Sequence, residues 1–367
     1  MRIAMIGQKR TASREGGIEV VVGELARRMA AAGHDVTCYD RAGAGFPSEP
    51  YERDGYRVVP VRTIDKGGLA ALSSSVTATR EALRSRPDIV HYHAEGPCVP
   101  LPMARRAGIR TVVTIHGLDW QRAKWGGLAS RYIKHGEATA ARHADELIVL
   151  SRSVQDYFRS TYGRATTLIP NGIERREGLP ARAITERWGL GESGYILYLG
   201  RIVPEKCAHR LVEAFRGVPG NKRLVIAGEL SPSNGYHERL QGLARADRRI
   251  MFIGHVSGDV LAELYSNAYA YVLPSDVEGM PMSLLEAMSY GCPCITSDIP
   301  ECAGVLGGCG LTFSAGDFVS LRTALASVMR NPAFAGEMGR AARKRVLDVF
   351  DWDSVVGQTL ALYEGRH

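Results

Sequence analysis

Short apolar runs alternate with amphipathic stretches along the chain. The run at 2–7 (RIAMIG) ends in glycine and precedes a polar loop and an amphipathic stretch at 17–32, so it predicts a strand, a loop and a helix. Further strands are predicted at 36–39, 56–61, 89–93, 111–115 and 146–150, and helices at 68–86 and 125–143. Strands and helices that alternate in this way are typical of a parallel, doubly wound α/β sheet.

The same alternation resumes in the second half. After a short run at 167–172 and a stretch rich in Gly, Pro and charge at about 172–183, strands are predicted at 195–201, 224–229, 250–256, 270–275, 293–298 and 310–313. The 367 residues are enough for two cores. We therefore predict two Rossmann-like domains in tandem that face each other across a deep cleft, with ligands at the carboxyl ends of the strands.

Charge is unevenly distributed between the two halves. Residues 1–180 contain 27 Lys and Arg against 19 Asp and Glu, the remainder contains 19 against 20, and the whole chain carries +7. A basic first half suits an anionic membrane surface or a lipid phosphate. No known nucleic-acid-binding motif is evident, which argues against nucleic acid as a partner.

Targeting signals are not evident in the sequence. The start lacks a basic stretch followed by an apolar one, and no run of 18 apolar residues occurs, so a cytoplasmic protein is expected. The cysteines, at 38, 98, 207, 292, 294, 302 and 309, show no CxxC spacing and are expected to be reduced thiols.

Two motifs imitate cofactor sites. Gly189, Gly191 and Gly194 spell GxGxxG, but a dinucleotide fingerprint follows a strand and opens a helix, whereas this run precedes a strand. His91 and His93 alternate on one face of a strand end and could chelate a metal, yet no third ligand is evident nearby. A hydrogen-bonded pair is the favoured interpretation, so no metal site is predicted. A P-loop motif is also missing.

Two carboxylates eight residues apart are the main candidates for ligand chemistry. Glu278 and Glu286 lie in DVEGMPMSLLEAMSYGCP, where Pro and Gly punctuate a mostly apolar segment that predicts a loop leading into a helix. Each carboxylate accepts two or more hydrogen bonds, so the pair could hold two sets of vicinal hydroxyls, and the NH groups that open the helix could face a phosphate. Together these groups describe a nucleotide-sugar site; the alternative is two acids on a solvated helix face.

Basic and glycine-rich segments complement the acids. Arg201 and Lys206 follow a predicted strand and could neutralise a leaving diphosphate, or could be ordinary surface cations. Gly16 and Gly17 precede a predicted helix, where their NH groups could reach a diphosphate or simply form a turn. His116 ends the strand TVVTIH, where its imidazole could hydrogen-bond a sugar hydroxyl.

On these residues the chain resembles a retaining glycosyltransferase of family 4 with the GT-B fold, and the likeness runs end to end. Glu278 and Glu286 match the family's two glutamates, and the resemblance implies that the first contacts the donor sugar and the second the ribose. Arg201 and Lys206 match its diphosphate-binding cations, and His116 matches its strand-end histidine.

The resemblance implies further donor contacts. Gly16 and Gly17 match the family's double glycine, and Asn171, in PNGI at the domain junction, would lie close to the site. The base would lie against backbone at 254–256, which includes Val256. No cofactor is implied, and the choice among UDP, GDP and dTDP stays open.

The resemblance also sets the domain limits. It implies an N-terminal acceptor-binding domain at 1–172 and a C-terminal nucleotide-sugar-binding domain at 173–349. FDWDSV resembles the start of the family's last helix, so residues 350–367 are expected to return to the first domain.

Two residues depart from the family pattern. Cys207 stands where a Gly usually follows the lysine, and Pro281 replaces a Gly whose NH could face phosphate. Because proline has no NH, the phosphate contacts are expected to shift to Met280 or Met282, with Gly279 beside them.

The implied reaction is sugar transfer with retention, in which the acceptor hydroxyl attacks from the face that the diphosphate leaves. Arg201 and Lys206 would stabilise the departing phosphate, while Glu278 and His116 position the sugar. No metal clamp of the DxD type is evident, so a metal-independent reaction is expected.

The segment TIHGLDWQRAKWGGLASRYIKHG bears on the acceptor. Its aromatic, apolar and basic residues are Trp120, Trp125, Leu128, Tyr132, Arg122, Lys124, Arg131 and Lys134. This mixture suits an anionic bilayer, or equally an amphipathic helix packed on its own sheet. Close relatives that the stretch resembles build surface polysaccharides on polyprenyl-diphosphate carriers at the cytoplasmic face. A glycan or polyprenyl-diphosphate-linked acceptor, with peripheral membrane association, is therefore the hypothesis.

Three other classes remain open. A nucleotide-sugar epimerase shares the two-domain architecture, but it would need neither an acceptor site nor a basic membrane face. An NAD-dependent oxidoreductase would need a fingerprint after its first strand, which MIGQKRTASREGG does not supply. A binding module without activity is hard to reconcile with both acids and both cations.

Overall fold

The computed structural model describes residues 1–13, 16–43, 45–64, 70–121, 127–229 and 235–365. The chain divides into two compact units. Unit 1 comprises Met1–Gly172 and Trp352–His367, and unit 2 comprises Ile173–Asp351.

Strands and helices alternate through both units. The strands are β1 Arg2–Ile6, β2 Asp35–Arg41, β3 Tyr51–Arg53, β4 Tyr56–Val61, β5 Ile89–His93, β6 Arg110–Ile115, β7 Glu146–Val149, β8 Thr167–Leu168, β9 Tyr195–Leu199, β10 Arg223–Ala227, β11 Ile250–Gly254, β12 Ala270–Leu273, β13 Cys294–Ser297 and β14 Leu311–Phe313. The helices are α1 Gly17–Ala31, α2 Ala70–Ser85, α3 Leu101–Arg106, α4 Gly127–His143, α5 Arg152–Tyr162, α6 Ala183–Trp188, α7 Ala208–Arg216, α8 Tyr236–Ala244, α9 Gly258–Asn267, α10 Met282–Ser289, α11 Pro300–Leu306, α12 Phe318–Arg330, α13 Pro332–Val349 and α14 Trp352–Tyr363.

Each unit is built on one sheet. In unit 1 the strand order is β3-β4-β2-β1-β5-β6-β7-β8, with parallel pairing except between β3 and β4. In unit 2 the order is β11-β10-β9-β12-β13-β14, and the pairs are parallel. Both orders run outward in two directions from a central strand, so the predicted doubly wound, Rossmann-like architecture is confirmed. The direction of winding changes between β1 and β5 in unit 1, and between β9 and β12 in unit 2.

The central strands are buried on both faces, as parallel strands between helices require. All five residues of β5 are buried, including His91 and His93. The loop after β1 passes close to the end of β5, because a Cβ on Gly7 would lie only 2.1 Å from the His93 carbonyl oxygen. Gly7 also has φ 128°, which disfavours any other residue. This close approach places the loop after β1 beside the end of β5.

The last helix, α14, packs on unit 1. Arg28 on α1 forms an ion pair with Asp353 at 3.0 Å, and the Trp352 ring lies so close to Gly172 that an added Cβ would come within 2.4 Å. The return begins at Trp352, two residues after the position that the resemblance implied.

Candidate functional site

The acidic segment of unit 2 lies where β12 ends. The chain forms a loop over 274–281 before α10 begins. Glu278 lies on this loop with its side chain 6% exposed, and its Oε1 accepts a hydrogen bond from the Ser275 hydroxyl at 2.6 Å. The same oxygen forms an ion pair with Lys206. The predicted loop-to-helix junction is therefore present, and these two contacts fix the carboxylate of Glu278.

Lys206 reaches Glu278 from the loop of the neighbouring strand. β9 pairs with β12, and the loop after β9 carries Arg201, half-buried, and then a 3-10 turn that ends at Lys206. The NH of Asp276 donates to the Glu205 carbonyl at 2.9 Å, which ties the two loops together. The structure thus brings Lys206 and Glu278 together where the winding direction changes, the usual position of a ligand crevice in such sheets.

Cys207 adds a further link between these loops. Its φ is 54°, in the left-handed region that costs a residue with a side chain about 1–2 kcal/mol, which accounts for the family's glycine at this position. Its thiol donates to Oδ2 of Asp276 at 3.1 Å, and Arg210 pairs with Oδ1. Burial, reinforced by that hydrogen bond, raises the pKa of the Cys207 thiol to about 12, so it remains a donor at neutral pH.

The start of α10 exposes backbone donors. Pro281 is the N-cap residue, and its carbonyl accepts from the NH groups of Leu284 and Leu285 at 3.0 and 3.2 Å. Met282 and Ser283 are the first two residues of the helix, so no helical carbonyl precedes them by a full turn. Their NH groups therefore have no carbonyl partner within the helix, as is general for a first turn. The expected shift to Met282 suits this geometry. Ser283 was not identified from the sequence, because its role depends on the residue at which the helix begins.

Glu286, in the second turn of α10, is contacted by a tyrosine that stacks on a second tyrosine. The Tyr265 hydroxyl donates to Oε2 of Glu286 at 3.1 Å, and the Tyr265 ring stacks on Tyr290 with centroids 5.6 Å apart. Burial, followed by the nearby charge of Glu286, raises the pKa of Tyr265 and keeps its hydroxyl protonated. Sequence reasoning missed Tyr265, which lies on a different helix, α9.

The other donor contacts expected in unit 2 lie in two places. Gly279 and Met280 are buried on the same loop as Glu278. Val256 is half-buried on the loop after β11, and β10 and β9 separate that edge strand from β12. At about 4.8 Å per strand this separation is about 14 Å. Val256 therefore lies on a different part of the sheet edge from Glu278.

In unit 1, His116 lies directly after β6 and is 7% exposed. Its Nε2 is 3.0 Å from Nδ1 of His93, at the end of β5. His91, two residues earlier on β5, contacts the Tyr363 hydroxyl through Nδ1 at 2.6 Å and the Thr114 hydroxyl through Nε2 at 2.8 Å. The favoured hydrogen-bonded arrangement is thus present. The sequence did not reveal a third side chain beside this pair. In the structure, that third side chain is His116.

The arrangement of possible metal ligands bears on the prediction of a metal-independent reaction. Across the described residues, no group of three or more His, Cys, Asp or Glu side chains is arranged to hold a metal ion. A metal-independent reaction remains a prediction. The GxGxxG run lies between α6 and β9, so it does not connect a strand to a following helix.

The double glycine of unit 1 has an acidic neighbour. Gly16 is the N-cap residue of α1, which starts at Gly17. Glu19 in the first turn is buried, accepts the Lys9 NH at 3.0 Å through Oε1, and places Oε2 2.4 Å from the position of a Cβ on Gly16. A diphosphate at this helix end would therefore lie beside the Glu19 carboxylate, a neighbour that the sequence pattern did not predict.

Asp40 anchors the loop that leads to this double glycine. Its Oδ2 accepts from the NH and the hydroxyl of Thr11 at 2.8 and 2.9 Å, and Oδ1 accepts from Gln8 at 3.1 Å. Burial raises the pKa of Asp40 from 3.8 to about 6, although these hydrogen bonds oppose the rise.

The remaining residue expected in unit 1, Asn171, is buried just after β8.

The proposed acceptor segment is only partly turned to solvent. Trp120 donates to the buried Glu137 at 3.0 Å, and the Tyr132 hydroxyl donates to the Gly96 carbonyl at 2.8 Å. By contrast, Leu128 is 81% exposed, and Arg131 and Lys134 are also exposed on α4. The remaining members of the set lie outside the described residues: Arg122, Lys124 and Trp125. Within the described residues, no helix is both long and apolar enough to cross a bilayer.

Comparison with known proteins covers both units. Residues 15–177 match the model of Glycosyltransferase Family 4, and residues 182–345 match that of Glycosyl transferases group 1. The chain is 31% identical to a glycogen synthase of Mycobacterium tuberculosis, over 99% of this chain and 94% of the relative. It is 29% identical to a GDP-mannose-dependent alpha-(1-6)-phosphatidylinositol monomannoside mannosyltransferase of Mycolicibacterium smegmatis, over 96% of each chain.

Solved structures show the same fold at low sequence identity. Sucrose-phosphate synthase from Thermosynechococcus elongatus matches with a TM-score of 0.87 and 23% identity, over 99% of this chain and 98% of that one. HepE from Anabaena, in complex with UDP and glucose, matches with a TM-score of 0.84 and 16% identity over the whole of both chains. The fold these proteins share with the chain is the GT-B fold.

Proposed function

This chain belongs to the glycosyltransferases of family 4, and from that premise we propose that it transfers a sugar from a nucleoside-diphosphate donor, with retention, to a hydroxyl of a glycan or lipid-linked acceptor. Membership makes it a glycosyltransferase. The donor, the retaining course and the acceptor are the proposal. The epimerase alternative has no support among its relatives.

The observation that carries the proposal is the contact between Lys206 and Glu278. One buried carboxylate is fixed by Ser275 and Lys206 on two adjacent loops of unit 2. Both contacts use Oε1. In the proposed complex, Glu278 accepts hydrogen bonds from sugar hydroxyls while Lys206, and Arg201 on the same loop, face the diphosphate. A sugar and a phosphate would thereby be held by neighbouring groups.

The remaining parts of the donor have candidate partners on α10. The NH groups of Met282 and Ser283 lie at the positive end of the helix, where a phosphate is favoured. In the proposed complex Glu286, whose Oε2 accepts from the Tyr265 hydroxyl, also accepts from the ribose hydroxyls. The HepE complex with UDP and glucose supports a nucleotide and a sugar as ligands of this fold.

The proposed reaction needs charge stabilisation more than acid catalysis. As the bond between sugar and phosphate breaks, negative charge grows on the diphosphate, and Arg201, Lys206 and the first turn of α10 offset it. The acceptor hydroxyl attacks on the face that the diphosphate leaves, and a departing phosphate oxygen takes its proton. No metal takes part in this scheme, so activity is expected to persist in a chelator.

The acceptor is assigned to unit 1, in agreement with its charge. Leu128, Arg131 and Lys134 present an apolar and basic face of α4 to solvent, which suits the anionic surface of a membrane. The mannosyltransferase relative is named for a phosphatidylinositol mannoside, which supports a lipid-linked acceptor. We propose that this acceptor belongs to surface polysaccharide synthesis at the cytoplasmic side. The glycogen synthase relative supports a glycan acceptor.

Calorimetric titration of the purified protein with UDP, GDP, dTDP and NADH tests the proposal. Binding of one nucleoside diphosphate, without binding of NADH, is expected, and it would identify the donor series. Binding of NADH alone would overturn the assignment. Glu286→Gln is the matched variant, because it should weaken the binding of the nucleoside diphosphate without changing the fold.

Flotation with liposomes at low salt tests the membrane part separately. The wild type should float with vesicles that contain phosphatidylglycerol and not with neutral ones. Arg131→Glu with Lys134→Glu should lose this binding, whereas the same charge change at Arg322 and Arg330, exposed on α12 of unit 2, should retain it. Equal loss of vesicle binding in both double variants would mean that the binding depends only on the net charge of the protein.

A further inference from the structure

Two buried tyrosine hydroxyls contact α10, one at each of its first two turns. The Tyr271 hydroxyl donates to Oγ of Ser283 at 2.8 Å, and the Tyr265 hydroxyl donates to Oε2 of Glu286 at 3.1 Å. The rings of the two tyrosines lie side by side, with centroids 6.0 Å apart. The proposed donor complex uses the side chain of Glu286 and leaves Tyr271 and the Ser283 hydroxyl without a role.

The Tyr271 hydroxyl carries one proton and has two acceptors within reach. Oγ of Ser283 lies at 2.8 Å and the Leu199 carbonyl oxygen at 3.3 Å. Hydrogen bonds between a hydroxyl and an oxygen are commonest at about 2.7–2.8 Å, so the contact with Ser283 is the stronger of the two. The proton of Tyr271 is therefore assigned to Ser283.

This assignment determines what the Ser283 hydroxyl can do. A serine hydroxyl donates one proton and accepts through its lone pairs. Since the oxygen of Ser283 accepts from Tyr271, its own proton can be donated to a second oxygen. Ser283 is half-buried, whereas Tyr271 is fully buried, so a ligand can contact the serine and not the tyrosine.

The position of Ser283 indicates which part of the donor it contacts. Through the Tyr271 hydroxyl, Oγ of Ser283 lies within two hydrogen-bond lengths of the Leu199 carbonyl, at the last residue of β9. The loop that begins there carries Arg201 and Lys206. A hydroxyl donor beside two cations suits an anionic oxygen better than a neutral sugar hydroxyl, because bonds to a charged acceptor are stronger.

We propose that Tyr271 is a positioning residue that orients the Ser283 hydroxyl to donate to an oxygen of the donor diphosphate. In this chain Tyr271 donates to Ser283, and Ser283 donates to the phosphate. Consecutive hydrogen bonds of this kind polarise and strengthen one another. The inference rests on the proposed function, and it adds two side chains to the diphosphate site.

The surroundings keep Tyr271 protonated, as this chain requires. Burial raises the pKa of Tyr271 well above its ordinary value, although the hydrogen bond with Ser283 opposes the rise. The negative charge of Glu278 raises it further. The Tyr271 hydroxyl is therefore neutral and able to donate at the pH of any binding assay near neutrality.

Calorimetry with variants of Ser283 tests the contact with the diphosphate. For whichever of UDP, GDP and dTDP binds the wild type, Ser283→Ala should raise the Kd about tenfold to hundredfold, the usual loss of a hydrogen bond to a charged group. Ser283→Thr retains a hydroxyl and should recover most of that loss. The corresponding nucleoside, measured by competition, should bind all three proteins equally. An unchanged Kd for the diphosphate in Ser283→Ala, or an equal loss for the nucleoside, would overturn the inference.

A double-mutant cycle tests the positioning role of Tyr271. Tyr271→Phe should raise the Kd for the diphosphate about threefold to tenfold, as is typical of coupled members of one hydrogen-bond network. In a Ser283→Ala background it should have almost no further effect, because the hydroxyl that it orients is already gone. Tyr195→Phe is the matched control, since Tyr195 is fully buried on β9 and its hydroxyl donates to the Leu264 carbonyl at 2.7 Å. It should lower the melting temperature and leave the Kd unchanged.

The outcomes separate positioning from general destabilisation. If Tyr271→Phe changes the Kd by the same factor with and without Ser283→Ala, or if Tyr195→Phe loses as much affinity, the positioning role is wrong. The two variants of Ser283, at a half-buried position, still decide whether its hydroxyl binds the diphosphate if Tyr271→Phe does not fold. A wild type that binds none of the nucleoside diphosphates would refute the proposed function as well, whereas unchanged binding by Ser283→Ala refutes this inference alone.

Discussion

Replacing Lys206 by methionine separates the two roles that we assign to this residue. Methionine keeps most of the side-chain volume and removes the ammonium group that pairs with Glu278. The carboxylate of Glu278 then remains buried, with the Ser275 hydroxyl at 2.6 Å as its nearest remaining support. The substitution should therefore reduce both stability and catalysis, for different physical reasons.

The loss of stability can be estimated from the burial of the pair. Removing one partner of a fully buried ion pair costs about 3–5 kcal/mol, because the other charge is left alone. The side chain of Lys206 is 17% exposed and that of Glu278 is 6% exposed, so some solvent screening remains. We expect about 2–3 kcal/mol, which lowers the melting temperature of a domain of this size by about 5–10 °C.

The loss of activity has a separate origin. A preorganised donor that faces developing negative charge contributes about 10²–10³-fold to kcat, and Lys206→Met should lose about that factor. Changing Glu278 to glutamine in the same protein removes the unpaired charge. The double variant Lys206→Met/Glu278→Gln should thus regain most of the melting temperature and none of the activity.

Calorimetric melting and a nucleoside-diphosphate release assay measure the two effects. Lys222→Met is the matched control, because Lys222 lies in unit 2 with its Nζ 3.9 Å from the ring of Tyr269, outside the loops that carry the pair. A melting temperature within 1 °C or so of the wild type for Lys206→Met would refute the buried pair. Recovery of activity in the double variant would show that catalysis does not need the cation.

Three further substitutions test individual side chains. Glu278→Ala should abolish transfer while the Kd for the nucleoside diphosphate stays within about threefold by calorimetry, since its proposed contact is with the sugar; equal loss of both would mean that its role is misassigned. Glu286→Gln should weaken that nucleotide about tenfold, as expected for a charge-assisted hydrogen bond, but should leave the affinity for its 2′,3′-dideoxy analogue unchanged. Asp40 has its pKa raised to about 6, so its stabilising contribution is fully present below pH 3.8 and is lost as the pH rises through about 6. The melting temperature of Asp40→Asn relative to the wild type should therefore increase between pH 4 and pH 8, and a constant difference would contradict the raised pKa.

The sequence predicts the sheets and the position of the site because both depend on local patterns. The apolar runs at β5, β9 and β12 are short and buried, and polar residues follow them directly, so Glu278 and Lys206 could be expected at the same sheet edge. The antiparallel strand β3 was missed because its three residues, YER, show no apolar pattern.

The contacts that organise the site depend on distant parts of the chain. His91 and Tyr363 are 272 residues apart in sequence, and neither segment shows a pattern that predicts the contact. The left-handed backbone of Cys207 was equally hidden, since cysteine gives no sign of a positive φ. Such pairs form only when distant segments fold together, so the local pattern of one chain does not reveal them. The departure from glycine at Cys207 was visible, but its compensation through Asp276 was not.

The return of α14 to unit 1 sets the order in which the protein can be completed during synthesis. All of unit 2, Ile173–Asp351, leaves the ribosome before Trp352, so the unit that begins first is finished last. Until then His91 lacks Tyr363, Arg28 lacks Asp353, and Gly172 has no indole against it. A chain that stops just before Trp352 would contain every residue of unit 2 and an N-terminal unit without its closing helix. A premature stop near the end of the message would therefore damage the proposed acceptor-binding half and leave the proposed nucleotide-binding half with its full sequence.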